Sequence, residues 1–307
     1  MTEQHRLSGV FAPVLTPMRD DLSPDTERFV ALCKSLLEDG CHGLVLFGTT
    51  SEANSLGLDE RIALTEAVVD AGVSPEVLMV GTGLCALPET VRLTRHAVAL
   101  GCAGVLMLPP FYYKGMSDEG LYRAFAEVFD RVADDRLRVY LYHFPKISAV
   151  PIGLDLIERL RTSHGDTVAG IKDSSGDWAN TSALLERFPG FGVFTGTETL
   201  MLASLRGGGP GCISATANIN AHALRELYDN WQTADAEAID ERVRAVRRAA
   251  ETKPTIPGLK AVLARQLGDP GWLNLRPPLV GLDAAQQAEL FAELEASGYR
   301  LTRAAAE

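Results

Sequence analysis

The stretch VAGIKD (168–173) sets an apolar run, Val168 to Ile171, directly against Lys172. Lysine is scarce in this chain: the others are Lys34, Lys114, Lys146, Lys253 and Lys260. Burial disfavours a charged amine, so a lysine in apolar surroundings is expected to give up its proton more readily. A neutral amine attacks a ketone and forms an imine. Making and breaking an imine needs a proton carrier, and the run VYLYHF (139–144) supplies a phenol, Tyr142. A phenol touching a threonine hydroxyl can relay a proton. FGTTSE (47–52) offers Thr49 and Thr50. The bland alternatives are a lysine that snorkels to solvent or pairs with Asp173, and a core tyrosine with a satisfied hydroxyl.

These residues work together only if the fold brings their runs side by side. Eight near-continuous apolar runs are expected as strands: 10–16, 43–48, 77–83, 104–110, 139–144, 168–173, 192–197 and 211–216. Continuous rather than alternating hydrophobicity is the pattern of parallel strands covered on both faces. Between them lie segments of helical period: 26–40, 59–72, 88–100, 118–133, 154–163, 179–188, 198–206 and 220–231. In the first of these, Phe29, Leu32, Cys33, Leu36 and Leu37 form one stripe. Ser23 is expected to cap it, with Pro24 in its first turn and Gly40 at its end.

Eight strand–helix units in roughly 230 residues predict a (β/α)8 TIM barrel, α/β in class, rather than an open doubly wound sheet. The turn after the first strand, LTPMRDDLSPD, has no GxGxxG fingerprint, which an open dinucleotide-binding sheet would carry. The strand pattern stops after residue 232. Residues 233–307 read as helices (236–250, 258–267, 284–297) interrupted by Pro254, Pro257 and Pro277–Pro278. The expected division is thus a barrel over 1–232 and a C-terminal helical extension, 233–307, packed on it.

In such a barrel the chemistry sits at the carboxyl ends of the strands. Those ends hold Thr49 and Thr50, Tyr112 and Tyr113, Tyr142 and His143, Lys172, the TGTE run 195–198 and the SATAN run 214–218. Hydroxyls and one lysine dominate. A metal site would need several His or carboxylate ligands, and only His143, Asp173 and Glu198 are candidates, so no metal and no cofactor are expected. His143 and Asp173 each follow an inward residue and are expected to face outward, in structural roles. RGGGPGC (206–212) precedes the eighth strand and reads as a turn on the opposite face rather than a phosphate cradle. GTGLCA (81–86) follows the third strand on the active face.

The composition of the 307 residues, 46% hydrophobic and 22% charged, is that of an ordinary globular chain. A net charge of −11 argues against nucleic acid or an anionic membrane as main partner, although one basic group can still dominate a small pocket. The five cysteines are odd in number, scattered and without a CxxC pair, which favours free thiols. The start MTEQHRLSGVF has no signal-peptide pattern, and no apolar run approaches the ~18 residues of a membrane span. A cytoplasmic protein is expected.

Six motifs, in order and with similar spacing over nearly the whole chain, resemble the dihydrodipicolinate synthase/N-acetylneuraminate lyase family of pyruvate-dependent class I aldolases. They are LTPM (15–18), GTTSE (48–52), PPFYY (109–113), YHFP (142–145), GIKDSSGD (170–177) and GCISATAN (211–218). The resemblance implies that Lys172 captures the keto carbon of pyruvate or another 2-oxo acid, and that Tyr142 is the general acid/base, linked through Thr50 to Tyr113. It implies that Tyr113 reaches into a neighbouring subunit's site, hence a homodimer or homotetramer. Thr49 and Thr50 would hold the pyruvyl carboxylate, with Gly196 and Ile213 lining the site through their backbones. The partners would be pyruvate and a small aldehyde.

Two departures bear on the reaction. Ser51 stands where the family's GTTGE motif has glycine. Ile147 stands where the synthases of the family carry the arginine that binds aspartate semialdehyde, and the neighbouring Lys146 is a point charge rather than a planar fork. A hydroxylated or keto-deoxy 2-oxo acid substrate, of the 4-hydroxy-2-oxoglutarate or 2-keto-3-deoxy sugar acid type, therefore fits better than the synthase reaction. The IPGLK (256–260) and SSGD (174–177) motifs resemble those of 4-hydroxy-2-oxoglutarate aldolases. The alternatives are a dihydrodipicolinate synthase, a keto-deoxy sugar acid dehydratase and a non-catalytic 2-oxo acid binder.

Overall fold

A computed structural model describes residues 7–301. Eight parallel strands close into a barrel in sequence order, and β8 returns to pair with β1. They are β1 Gly9–Pro13, β2 Gly43–Leu46, β3 Leu78–Gly81, β4 Gly104–Met107, β5 Val139–His143, β6 Val168–Asp173, β7 Gly192–Thr195 and β8 Gly211–Ile213. All eight fall inside or beside the apolar runs. All but β6 are shorter than those runs because the carboxyl-end loops are themselves buried, as at Val14, Leu15 and Thr16.

The strand period of two sorts the side chains into two cores. Phe11, Val45, Met79, Leu106, Tyr140, Tyr142, Phe194 and Ile213 fill the barrel interior. Their neighbours, among them Val10, Leu44, Leu78, Val105, Leu141, Ile171, Val193 and Cys212, face outward beneath the helices. The interior is tightly filled. A Cβ on Gly170 would lie 2.5 Å from Cδ1 of Tyr140, so only glycine admits that ring across β6. Tyr140 and Phe11 both meet Phe194 edge-on, at centroid distances of 5.8 and 5.5 Å.

The helices between strands are α1 Thr26–Glu38, α2 Leu58–Asp70, α3 Leu87–Ala99, α4 Asp118–Val132, α5 Pro145–Ser148, α6 Leu154–His164, α7 Trp178–Arg187 and α8 Met201–Arg206, with α9 Ala217–Asn230 after β8. The α1 cap differs from expectation. Asp25, not Ser23, is the cap: its carboxylate accepts from the Arg28 amide at 3.0 Å. Pro24 lies before the helix and bridges to Met18, while the Ser23 hydroxyl turns to Asp21. The helix does end at Gly40, whose φ of +108° suits glycine. Two other differences lie beside the carboxyl face: the short α5 after β5, and an earlier start for α9, which kinks at Asn220.

The chain continues in α10 Ala236–Ala250, α11 Thr255–Leu267 and α12 Ala284–Ala296. Ala236, Ile239, Val243, Leu259, Leu263 and Trp272 join the outer barrel core, and Val246, Val262, Leu290 and Leu294 build a smaller core among the three helices. Polar contacts reinforce this seam. Lys260 is fully buried, bonded to Glu52 in the loop after β2 and to the Asn274 carbonyl at 2.8 Å. Arg276 grips Glu60 and the Ser55 carbonyl. The extension therefore holds the loop that carries Thr49 and Thr50.

Candidate active site

β5 and β6 set Tyr142 and Lys172 as direct register partners, with both side chains turned inward. Lys172 is 4% exposed and Tyr142 3%. The lysine Nζ donates to the Tyr142 hydroxyl at 3.5 Å and lies 4.6 Å from the ring centroid. Lys172 makes no ion pair with a carboxylate among the described residues. The nearby Asp173 carboxylate is occupied on the outer face by the Thr181 hydroxyl at 2.7 Å, the Asn180 amide and the Ser175 amide. His143 is likewise turned outward, and its Nδ1 accepts from the Ile152 amide at 3.1 Å. Burial lowers the His143 pKa, with Asp173 opposing.

Thr49, rather than Thr50, meets the phenol: its hydroxyl lies 3.2 Å from that of Tyr142. The loop turns sharply at Phe47 and Glu52, with φ of 60° and 56°, and is pinned by the Ser51 amide on the Gly48 carbonyl and the Thr16 hydroxyl on the Ser51 carbonyl. This local twist directs the first threonine to Tyr142. Thr50 lines the same cavity without touching Tyr142. The contact with Tyr142 expected of Thr50 is made by Thr49 instead.

The cavity above these groups holds about 570 Å3. Gly196 lines it, and a Cβ there would fall 2.1 Å from Ser174 Oγ, so the glycine permits the close passage of the two loops. From β8 the wall is Ala215, whereas Ile213 is fully buried in the interior layer. Tyr113 is 68% exposed within one chain and stacks edge-on with Tyr112 outside the cavity. Lys146 and Ile147, both on α5, line the cavity together, so the lysine does point into the site despite its different place on the backbone.

Several wall residues escaped the sequence reading. Arg247 from α10 lines the cavity and donates to Ser214 at 3.1 Å, to the fully buried Glu198 at 3.3 Å and to Glu251 at 2.5 Å. Glu198 also accepts from the Ser214 and Thr216 hydroxyls. Burial opposes the Arg247 charge, yet Glu198 and Glu251 hold its pKa above the ordinary arginine value. The signal was an arginine four residues after Val243, on the apolar stripe of α10. Thr197 of the TGTE run, Thr199 and residues 254–257 at the start of α11 also line the cavity. Among the described residues, His, Cys, Asp and Glu form no group of three placed to hold a metal ion, and no helix is long and apolar enough to cross a membrane.

The structure is thus a closed parallel barrel with a buried lysine, a phenol and a threonine gathered at the carboxyl ends of β6, β5 and β2. Residues 6–297 match the dihydrodipicolinate synthetase family, and the chain belongs to it. An uncharacterized DapA-like lyase of Chloroflexus aurantiacus is 35% identical over 289 residues, 94% of this chain and 96% of that one. Among solved structures, dihydrodipicolinate synthase from Agrobacterium tumefaciens superposes with a TM-score of 0.88 at 28% identity, covering 94% and 99% of the two chains. YagE, a prophage protein of Escherichia coli solved in complex with pyruvate, gives 0.87 at 26% identity, covering 96% and 99%.

Proposed function

We propose that the protein is a pyruvate-dependent carbon–carbon lyase that forms an imine at Lys172 and cleaves, or in reverse condenses, a hydroxylated or keto-deoxy 2-oxo acid. The observation that carries this reading is the buried amine of Lys172, free of any carboxylate among the described residues and in contact with the Tyr142 hydroxyl. The amine attacks the keto carbon, and the carbinolamine loses water to give the imine. Tyr142 protonates the departing hydroxyl and later takes the proton from the substrate's C4 hydroxyl. As the C3–C4 bond breaks, its electron pair flows into the imine, leaving an enamine and an aldehyde. Protonation at C3 and hydrolysis then release pyruvate and restore the amine.

Thr49 holds the phenol in place. The amides of Thr49 and Thr50 and the Thr50 hydroxyl have no partner among the described residues, which suits them to bind the pyruvyl carboxylate. Gly196 lets the β7 loop approach from the far side, and Ala215, two residues beyond the buried Ile213, closes the β8 side. The pyruvate complex of YagE supports a 2-oxo acid as ligand. No separate cofactor is called for, because Lys172 itself supplies the electron sink.

The assembly we propose is a homodimer, or a tetramer of dimers, in the cytoplasm, with Tyr113 completing the proton path of a neighbouring subunit. Support comes from the exposure of Tyr112, Tyr113 and Met116, and from an apolar cavity of about 330 Å3 walled by Leu84, Leu87, Leu108, Phe125 and Val128. The synthase reaction is disfavoured by Ile147, an aliphatic side chain 60% exposed at the cavity mouth. The test is pyruvate release from 4-hydroxy-2-oxoglutarate and from 2-keto-3-deoxygluconate. Release from either supports the lyase. Activity confined to pyruvate and aspartate semialdehyde contradicts the substrate assignment.

A further inference from the structure

The opposite end of the barrel has a cavity of its own, of about 200 Å3. Ala103, Arg138, Val168 and Phe191 line it, each at or just before the first residue of β4, β5, β6 or β7, so it opens at the amino ends of these strands. Arg138 stands four residues before Tyr142 on β5. A strand rises about 3.3 Å per residue, which puts roughly 13 Å of β5 between this cavity and the catalytic one. No described residue lines both.

Two half-buried guanidinium groups supply its charge. Arg138 is anchored through one terminal nitrogen on the Asp135 and Leu137 carbonyls, each at 2.8 Å. Arg161, in the last turn of α6, lies over the rings of Phe191 and Phe188, 4.9 and 5.2 Å from their centroids. A ring face holds the guanidinium by its charge and leaves its N–H donors for an acceptor. Neither arginine pairs with a carboxylate among the described residues, whereas the nearby Arg136 and Arg159 bond to Asp134 and Glu119. Asp166 also lines the cavity, but it is exposed and pairs with neither arginine. The lining thus carries two positive charges against one negative, a local excess in a chain of net charge −11. A planar guanidinium matches the oxygens of a carboxylate or phosphate two at a time. The volume lies below the roughly 300–1,000 Å3 of pockets for drug-sized ligands, so the occupant is small. Tyr140, 3% exposed, belongs to the same lining and carries the cavity down to the interior layer of the barrel.

We propose that this amino-end cavity is a second ligand site, in which Arg138 and Arg161 bind a small oxyanion, a carboxylate or a phosphate. The site is separate from the catalytic cavity and does not depend on the imine reading of Lys172.

The test is calorimetric titration of the full chain with inorganic phosphate and with succinate at constant ionic strength. It is run on the wild type, Arg138→Gln, Arg161→Gln and Lys172→Ala, with folding checked by circular dichroism. The expected result is saturable binding of one equivalent per chain. Each glutamine variant should weaken it by about tenfold or more, and Lys172→Ala should leave it unchanged. If a glutamine variant does not fold, the lysine variant at that position is read instead; it keeps the charge, loses the planar fork and should bind more weakly than the wild type. Binding of phosphate alone, or of succinate alone, supports the site and identifies its oxyanion. No saturable binding of either compound, binding that survives both arginine substitutions, or binding lost in Lys172→Ala overturns the proposal.

Discussion

At the scale of single residues, the proposed reaction divides labour between an amine and a phenol 3.5 Å apart. Tyr142→Phe keeps the ring against Lys172 but removes the proton carrier. We expect kcat to fall by about 10²–10⁴, while pyruvate still forms a reducible imine; a steady-state assay beside mass-detected trapping separates the two. Thr49→Val should lower kcat and Thr50→Val should mainly raise KM for pyruvate, because only Thr49 touches the phenol. Equal effects on the two parameters would contradict that split. Lys172 and Tyr142 were legible in the sequence because each is a reactive side chain ending an apolar run, and the strand period alone turns both inward. The choice between Thr49 and Thr50 was not legible. It depends on left-handed backbone at Phe47 and Glu52, residue types that give no warning of a positive φ.

At the scale of elements, the outward residues of the same strands carry the fold rather than the chemistry. His143 on β5 accepts a backbone hydrogen bond and must be neutral to do so. Burial lowers its pKa below the ordinary 6.5, and His42, which accepts from the Val10 amide, is shifted the same way. The unfolded chain thus binds these protons more readily than the folded one. Their contribution is full above about pH 6.5 and is lost as the pH falls below it. Urea midpoints should decline across that window, and His143→Asn should flatten the decline; an unchanged slope contradicts the assignment. The eight strands and the intervening helices were readable from apolar runs and period. Their ends were less so, since Ser23 and Asp25 are both good caps and the backbone bridge between Met18 and Pro24 places Ser23 outside the helix.

For the whole molecule, the C-terminal helices pack on the barrel and line the same cavity. Lys260 and Glu52 are 208 residues apart and join with both side chains fully buried. Burial lowers the Lys260 pKa, opposed by the Glu52 charge. Lys260→Met leaves a buried carboxylate without its cation, and such losses cost about 3–5 kcal/mol. The double variant Lys260→Met/Glu52→Gln should cost less than the sum of the singles in urea unfolding. Additive losses would show that the pair does not hold the seam. Nothing in local sequence marks this pair, because its members lie in distant segments, and Arg247 is marked only by its place on the apolar stripe of α10. Assembly has its own test. Mixing Lys172→Ala subunits with Tyr113→Phe subunits should restore activity above either variant alone if Tyr113 serves a neighbour's site, and no complementation contradicts that sharing.

The most direct measurement is sodium borohydride reduction in the presence of pyruvate, followed by intact mass and peptide mapping. One pyruvyl-sized adduct per chain is expected, on Lys172, retained in Tyr142→Phe and absent from Lys172→Ala. Folded protein that gives no adduct at saturating pyruvate, or an adduct on another lysine, would contradict the imine at Lys172.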